Sequence, residues 1–168
     1  MATTLARTLK QTKPFASREE EVILALQHTA ARVLEPWARL LKTRFQLTVS
    51  QYNVLRILRG ARPTRLACRE ISDRMVARDP DVTRLVDRLA DRGLVDRVRD
   101  RGDRRVVEVG ITDAGLAMLQ KLDADVDRFP RAVIGHIGPR RLGQLATLLQ
   151  DVLSDLGTFP PDGARGGR

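Results

Sequence analysis

From Val22 to Phe45, apolar residues return every three or four positions: Val22/Ile23, Leu26, Ala30, Val33/Leu34, Trp37, Leu40/Leu41 and Phe45. That spacing predicts one long amphipathic helix. Ser17 stands before it as a cap, and Glu19, Glu20 and Glu21 sit at the positive end of its dipole. Pro36 is expected to kink or break this helix near residue 35, because proline lacks an N–H and crowds the carbonyl four residues back. A second stripe, Val54, Leu55 and Leu58, predicts a helix that starts at Ser50 and stops at Gly60 and Pro63. Ile71 and Met75 mark a short third helix over about residues 68–76. RDPDVTRLVDRLADRG (Arg78–Gly93) predicts a fourth, with Asp79 as cap, Pro80 in the first turn and Gly93 at the end.

The period then changes. Leu94–Val98 and Arg105–Ile111 are short and valine-rich, and Val107, Val109 and Ile111 alternate with Glu108 and Gly110 as in a half-buried strand. The two runs predict a hairpin. Helical spacing resumes behind Thr112, a cap, through Leu116, Leu119, Leu122, Val126 and Phe129, with a stop expected at Pro130. It resumes again from Pro139 through Leu142, Leu145, Leu148/Leu149, Val152/Leu153 and Leu156 to Gly157. Residues 1–17 read as a polar, basic arm, and residues 158–168 as a disordered Pro/Gly tail. A short helix, a tight turn, a second helix and then a hairpin make a winged helix-turn-helix, here in a mainly α (α+β) chain.

Charge gives that arrangement a direction. The chain has 30 basic against 21 acidic residues, a formal charge of +9, which favours a polyanionic partner. On the fourth helix Val82, Leu85, Val86, Leu89 and Ala90 fall on one face at 100° per residue. Arg84 projects almost opposite, flanked by Pro80, Arg88 and Asp91. The outer arginines suit guanine edges or phosphates. Alternatively, Arg84 with Asp87, or Arg88 with Asp91, would form the local ion pairs of an ordinary surface helix. The hairpin tip RDRGDRR (Arg99–Arg105) holds four arginines in seven residues. A tip beside a recognition helix lies near a minor groove, whose negative potential attracts arginine.

LTVSQYNVLRIL, the run RLVDRLADRGLV, the later DRR and IT-x-x-G together resemble the MarR family of winged helix-turn-helix regulators, over roughly residues 20–156. The resemblance implies a homodimer intertwined through N- and C-terminal dimerisation helices, residues 18–46 and 112–157, around a DNA-binding domain at 47–111. The long apolar stripes at both chain ends agree. It implies a transcription regulator, a repressor rather than an activator, on a pseudo-palindromic operator in double-stranded DNA. By position, Arg78, Pro80, Asp81, Thr83 and Arg84 face the major groove and Arg88 contacts or supports the backbone. Arg105 matches the minor-groove arginine and Asp103 its orienting acid, while Arg101 and Arg104 add phosphate contacts. Arg78, Asp79, Pro80 and Asp81 stand where many members carry small Ser/Thr residues, so the operator is the chain's own. Many members release DNA when a small aromatic or phenolic anion binds between the dimer helices and the DNA-binding lobe. The candidates for that pocket are His28, Trp37, Tyr52 and Arg56, although each residue taken singly fits packing or plain surface better.

Other classes find less support. His28 and His136 lie far apart, and HExxH, CxxC, GxxxxGK[ST] and GxGxxG are all missing. No enzyme activity, metal or cofactor is expected. Cys68, the one cysteine, allows no internal disulfide, and an inert thiol is favoured over a redox switch. No run approaches the roughly 18 apolar residues of a membrane span, so no membrane partner and a cytoplasmic location are expected. The main rival is a non-specific, nucleoid-type DNA-coating protein.

Overall fold

The computed structural model describes residues 4–77, 79–99 and 107–156. Its elements run α1 (Thr4–Thr8), α2 (Arg18–Leu40), α3 (Val49–Ala61), β1 (Leu66–Ala67), α4 (Cys68–Asp73), α5 (Val82–Asp91), β2 (Val95–Arg99), β3 (Val107–Ile111), α6 (Asp113–Ile134) and α7 (Pro139–Ser154). The chain divides into two compact units, Met1–Asp125 and Val126–Arg168, with the boundary inside α6.

In the first unit, Ser17 caps α2 by accepting the Glu20 N–H at 3.1 Å. The helix then passes straight through Pro36, which was expected to break it. Pro36 and Arg32 are both exposed, so the carbonyl that loses its donor stays in reach of water. The irregularity falls five residues later, where Leu41–Phe45 form a π-helical turn closed by Gln46 in the left-handed conformation (φ 54°). The cap of α3 is Thr48, two residues before the expected Ser50. Its hydroxyl accepts from the Gln51 N–H (3.1 Å) while the Gln51 side chain accepts from the Thr48 N–H (3.0 Å), a reciprocal capping box. The polar, basic arm holds a short helix of its own, α1.

The sheet is antiparallel with order β1-β3-β2. Two residues of β1 pair Leu66 with Val109 and Ala67 with Glu108. The hairpin pairs Val95 with Ile111, Asp96 with Gly110, Arg97 with Val109 and Arg99 with Val107. Leu41, Leu47, Val54, Leu55, Leu58, Leu66, Ile71, Val86, Leu89, Val109, Leu119 and Leu122 are nearly inaccessible and form the core of this unit. Burying such side chains stabilises by about 1.5–3 kcal/mol each before chain entropy is set against it.

In the second unit, α6 continues through Pro130, another expected stop, to Ile134. Pro130 is exposed and the Val126 carbonyl it deprives is on a half-exposed residue, so the same solvation argument holds. Helix α7 begins at Pro139 as expected and has no buried residue. It ends at Ser154, with Asp155 after it as C-cap, three residues before the expected stop at Gly157; Gly157 and the tail 158–168 lie outside the described residues.

Candidate nucleic-acid interface

Helix α5 buries Val82, Leu85, Val86 and Leu89, and Ala90 is half-buried, so the face predicted to dock does so. Thr83, Arg84 and Arg88 point outward and are exposed, as is Pro80 just before the helix. The start differs from the expectation. Asp79 accepts from the Asp81 N–H (3.1 Å), which makes it the former of the preceding turn, and Asp81 becomes the cap by accepting from the Arg84 N–H (3.3 Å). Arg84 returns to that cap, its Nε lying 3.1 Å from Asp81 Oδ2. Both Asp81 oxygens are therefore engaged by the helix they begin. The pairs Arg84–Asp87 and Arg88–Asp91, which the alternative reading as an ordinary surface helix needs, are not formed. Arg88 has neither an ion pair nor a hydrogen bond among the described residues.

Asp87 pairs instead with Arg97 on wing strand β2. The neighbouring strand residue, Asp96, accepts a two-pronged bond from Arg65: Nη1 to Oδ1 at 2.8 Å and Nη2 to Oδ2 at 2.6 Å. That bond holds the Asp96 carboxyl below, and the Arg65 guanidinium above, their ordinary values. The pair crosses Gly110, where a Cβ would lie 2.9 Å from both Arg65 Nη1 and Asp96 Oδ1. Arg65, Asp96 and Arg97 carry no expectation from the sequence, and Asp87 enters there only as a local partner for Arg84. The isolated glycine in an otherwise valine-rich strand was the available signal, since such a glycine marks a close approach.

The joint from recognition helix to wing and onward explains the glycines and threonine of the motif. Gly93 (φ 67°) ends α5, its N–H bonded to the Ala90 carbonyl at 2.8 Å and that of Leu94 to the Leu89 carbonyl at 3.0 Å. The Thr112 hydroxyl donates to the Gly93 carbonyl (2.7 Å) and accepts the Gly115 N–H (3.1 Å), so one residue caps α6 and fastens it to the end of α5. A Cβ at Gly115 would meet the Leu94 carbonyl oxygen at 2.2 Å. Arg92 adds a fork from α5 to the π turn, donating to the carbonyls of Gln46 (2.8 Å) and Phe45 (3.0 Å).

Arg78 and the tip residues Arg101, Asp103, Arg104 and Arg105 lie outside the described residues. Of the pocket candidates, Trp37 and Tyr52 meet edge to face with ring centroids 5.3 Å apart, both buried. Burial raises the Tyr52 phenol above its ordinary value, opposed by Arg56 and Arg59. Arg56 is exposed and donates to Asn53 (3.1 Å), and His28 is half-buried on α2. A cleft of about 560 Å³ in this unit has other walls, among them Phe45, Arg92, Leu94, Met118 and Lys121. Cys68, partly exposed, opens α4. Among the described residues no cluster of His, Cys, Asp or Glu is arranged to hold a metal, and no helix is long and apolar enough to cross a membrane.

A buried-faced helix, an arginine-bearing outer face and a wing rooted beside it define a winged-helix DNA-binding fold, and comparison with known proteins makes this specific. The family model described as "MarR family" matches residues 47–107. The crystal structure of a MarR transcription factor from Planctomyces limnophilus is 40% identical, covering 82% of this chain and 98% of that one, with a TM-score of 0.62. The HTH-type transcriptional regulator TtmR of Methylorubrum extorquens is 32% identical over 127 residues, a match that takes in 76% of this chain but 62% of that relative's length. The S. aureus MepR–DNA complex shares the fold at 21% identity, with a TM-score of 0.70 over 79% of this chain and 96% of that one. The chain belongs to the MarR family of transcriptional regulators.

Proposed function

We propose that this protein is a homodimeric, sequence-specific transcriptional regulator, acting as a cytoplasmic repressor on a pseudo-palindromic operator. The observation that carries the reading is α5: a helix with a fully docked apolar face presents Thr83, Arg84 and Arg88 outward, with a wing rooted on the same helix. Residues 47–111 act as the DNA-binding domain. Arg78, Pro80, Asp81, Thr83 and Arg84 face or frame the major groove, and Arg88 serves the backbone. At the tip, Arg105 enters the minor groove with Asp103 as orienting acid, and Arg101 and Arg104 add phosphate contacts. Residues 18–46 and 112–157 dimerise. In their support, Val22, Ile23, Leu26 and Leu34 of the first unit are exposed, and so are Leu145, Leu148, Leu149, Val152 and Leu153 of the second.

A small aromatic or phenolic acid is the effector this reading favours. PcaV from Streptomyces coelicolor has been solved with its natural ligand, and Bordetella bronchiseptica BpsR is a neighbour whose DNA binding is regulated by 6-hydroxynicotinic acid. The charge of +9 supports a second reading, non-specific coating of DNA. Anisotropy titration separates them, using the duplex upstream of the protein's own gene and a scrambled duplex of equal length at two salt concentrations. A preference of about 10³ or more establishes the regulator. Equal affinities that fall steeply with salt overturn it in favour of coating.

A further inference from the structure

We propose that Asp96 and Asp87 are positioning residues for the wing: their ion pairs, Arg65–Asp96 and Asp87–Arg97, hold successive residues of the root strand from opposite faces and aim the arginine tip at DNA. Side chains of neighbouring strand residues point to opposite sides of a sheet. At Asp96, β2 is held from one side by the Arg65 fork, 31 residues away in sequence. At Arg97 it is held from the other side by Asp87 of the recognition helix. Gly110 opposite Asp96 leaves the space through which the fork passes. The strand that carries the tip is thus tied both to the segment before β1 and to the helix placed in the major groove. Asp96, Asp87 and Arg97 are each at least 40% exposed in their side chains and Arg65 is 32% exposed, so none of the four belongs to the core. The inference rests on the proposed DNA-binding role of the wing.

The sign of the effect makes it testable. Replacing Asp96 or Asp87 by Asn removes a negative charge beside DNA, and Coulomb's law alone then predicts tighter binding to a polyanion. Loss of the grip predicts the opposite. Asp96→Asn and Asp87→Asn are each expected to weaken binding to the preferred duplex about fivefold, the scale of one well-formed exposed ion pair. Asp96→Glu, which keeps the charge, should restore most of it. Thermal melts by circular dichroism confirm that the variants are folded at the assay temperature.

The same substitutions are then made in Arg105→Ala. An acid that acts by aiming the tip costs nothing further once the tip arginine is gone, whereas a merely structural acid costs the same in both backgrounds. Should Arg105→Ala by itself leave affinity untouched, the minor-groove role of Arg105 fails, and replacement of residues 100–106 by a short Gly-Ser turn serves as the tipless background. Should the intact protein show no preference between duplexes, the regulator reading fails while the sign of the Asn effect is still read on the same DNA. Affinity that is unchanged or tighter without the acids, or an equal loss with and without the tip, overturns the proposal.

Discussion

Helices α5 and α7 are both amphipathic, and the two units of the chain treat them oppositely. Leu89 of α5 is 0% exposed, and Leu153 of α7 is 72% exposed. Both stripes have the spacing of a buried helix face. The difference teaches that periodicity announces a face in need of cover without saying which chain supplies it. On α5 the cover is intramolecular; on α7 the described residues of the second unit supply none, and a second copy is the occupant that the proposed dimer would place there.

The sharpest break of this comparison is a pair of truncations. Leu89→Ala opens a cavity in the packed unit and should cost about 2–5 kcal/mol in denaturant unfolding. Leu153→Ala should leave the fold of the protomer intact. Leu149→Asp with Leu153→Asp should instead dissociate the dimer in sedimentation velocity. An undissociated dimer would remove α7 from the interface, and a harmless Leu89→Ala would contradict the packing of α5.

A smaller effect comes from making one substitution in two helices. Alanine is intrinsically better than glycine within a helix by about 1 kcal/mol. At Gly115 the added methyl meets a backbone carbonyl at 2.2 Å, a group that cannot swing aside. Gly115→Ala should therefore destabilise by about 1–3 kcal/mol and loosen the joint between α6 and the recognition helix. At Gly143 of α7 nothing lies within 4 Å. Gly143→Ala should stabilise helix α7 by about 0.5–1 kcal/mol, read as a rise in melting temperature. A fall there would mean that the partner copy packs directly on Gly143.

The contrast also marks what the sequence made legible. The docked face of α5, the hairpin, the Gly93 stop and the Thr112 cap are local matters of period, φ and one hydroxyl, and they were readable along the chain. The caps at Thr48 and Asp81 were each misplaced by two residues, because several Ser, Thr or Asp residues in a row can all cap and the choice depends on which one the turn uses. Neither Pro36 nor Pro130 ends its helix, because both are exposed where the carbonyl they free remains solvated. β1 is two residues long and has no pattern of its own. The wing-root ion pairs join residues 31 and 10 positions apart, and tertiary structure brings them together: the β1-β3-β2 register for Arg65 and Asp96, the packing of α5 beside β2 for Asp87 and Arg97.

The mildest test concerns Tyr52, the only tyrosine of the chain, whose phenol can be followed by ultraviolet absorbance without ambiguity. Burial raises its pKa above the ordinary value of 10.0, against the attraction of Arg56 and Arg59 for the phenolate. A raised folded value means that the neutral form is favoured by folding. The associated stability is complete below pH 10 and is lost as pH rises through the folded value. Arg56→Gln removes one opposing charge and should raise the midpoint further. Tyr52 is packed by Trp37 of the same unit, so its titration belongs to the protomer. In the dissociated Leu149→Asp, Leu153→Asp protein the midpoint should stay where it is in the dimer. A midpoint that fell toward 10 on dissociation would mean that the partner copy, rather than α2, keeps water from the ring, and the division between a self-sufficient winged unit and partner-dependent helices would have to be redrawn at Trp37.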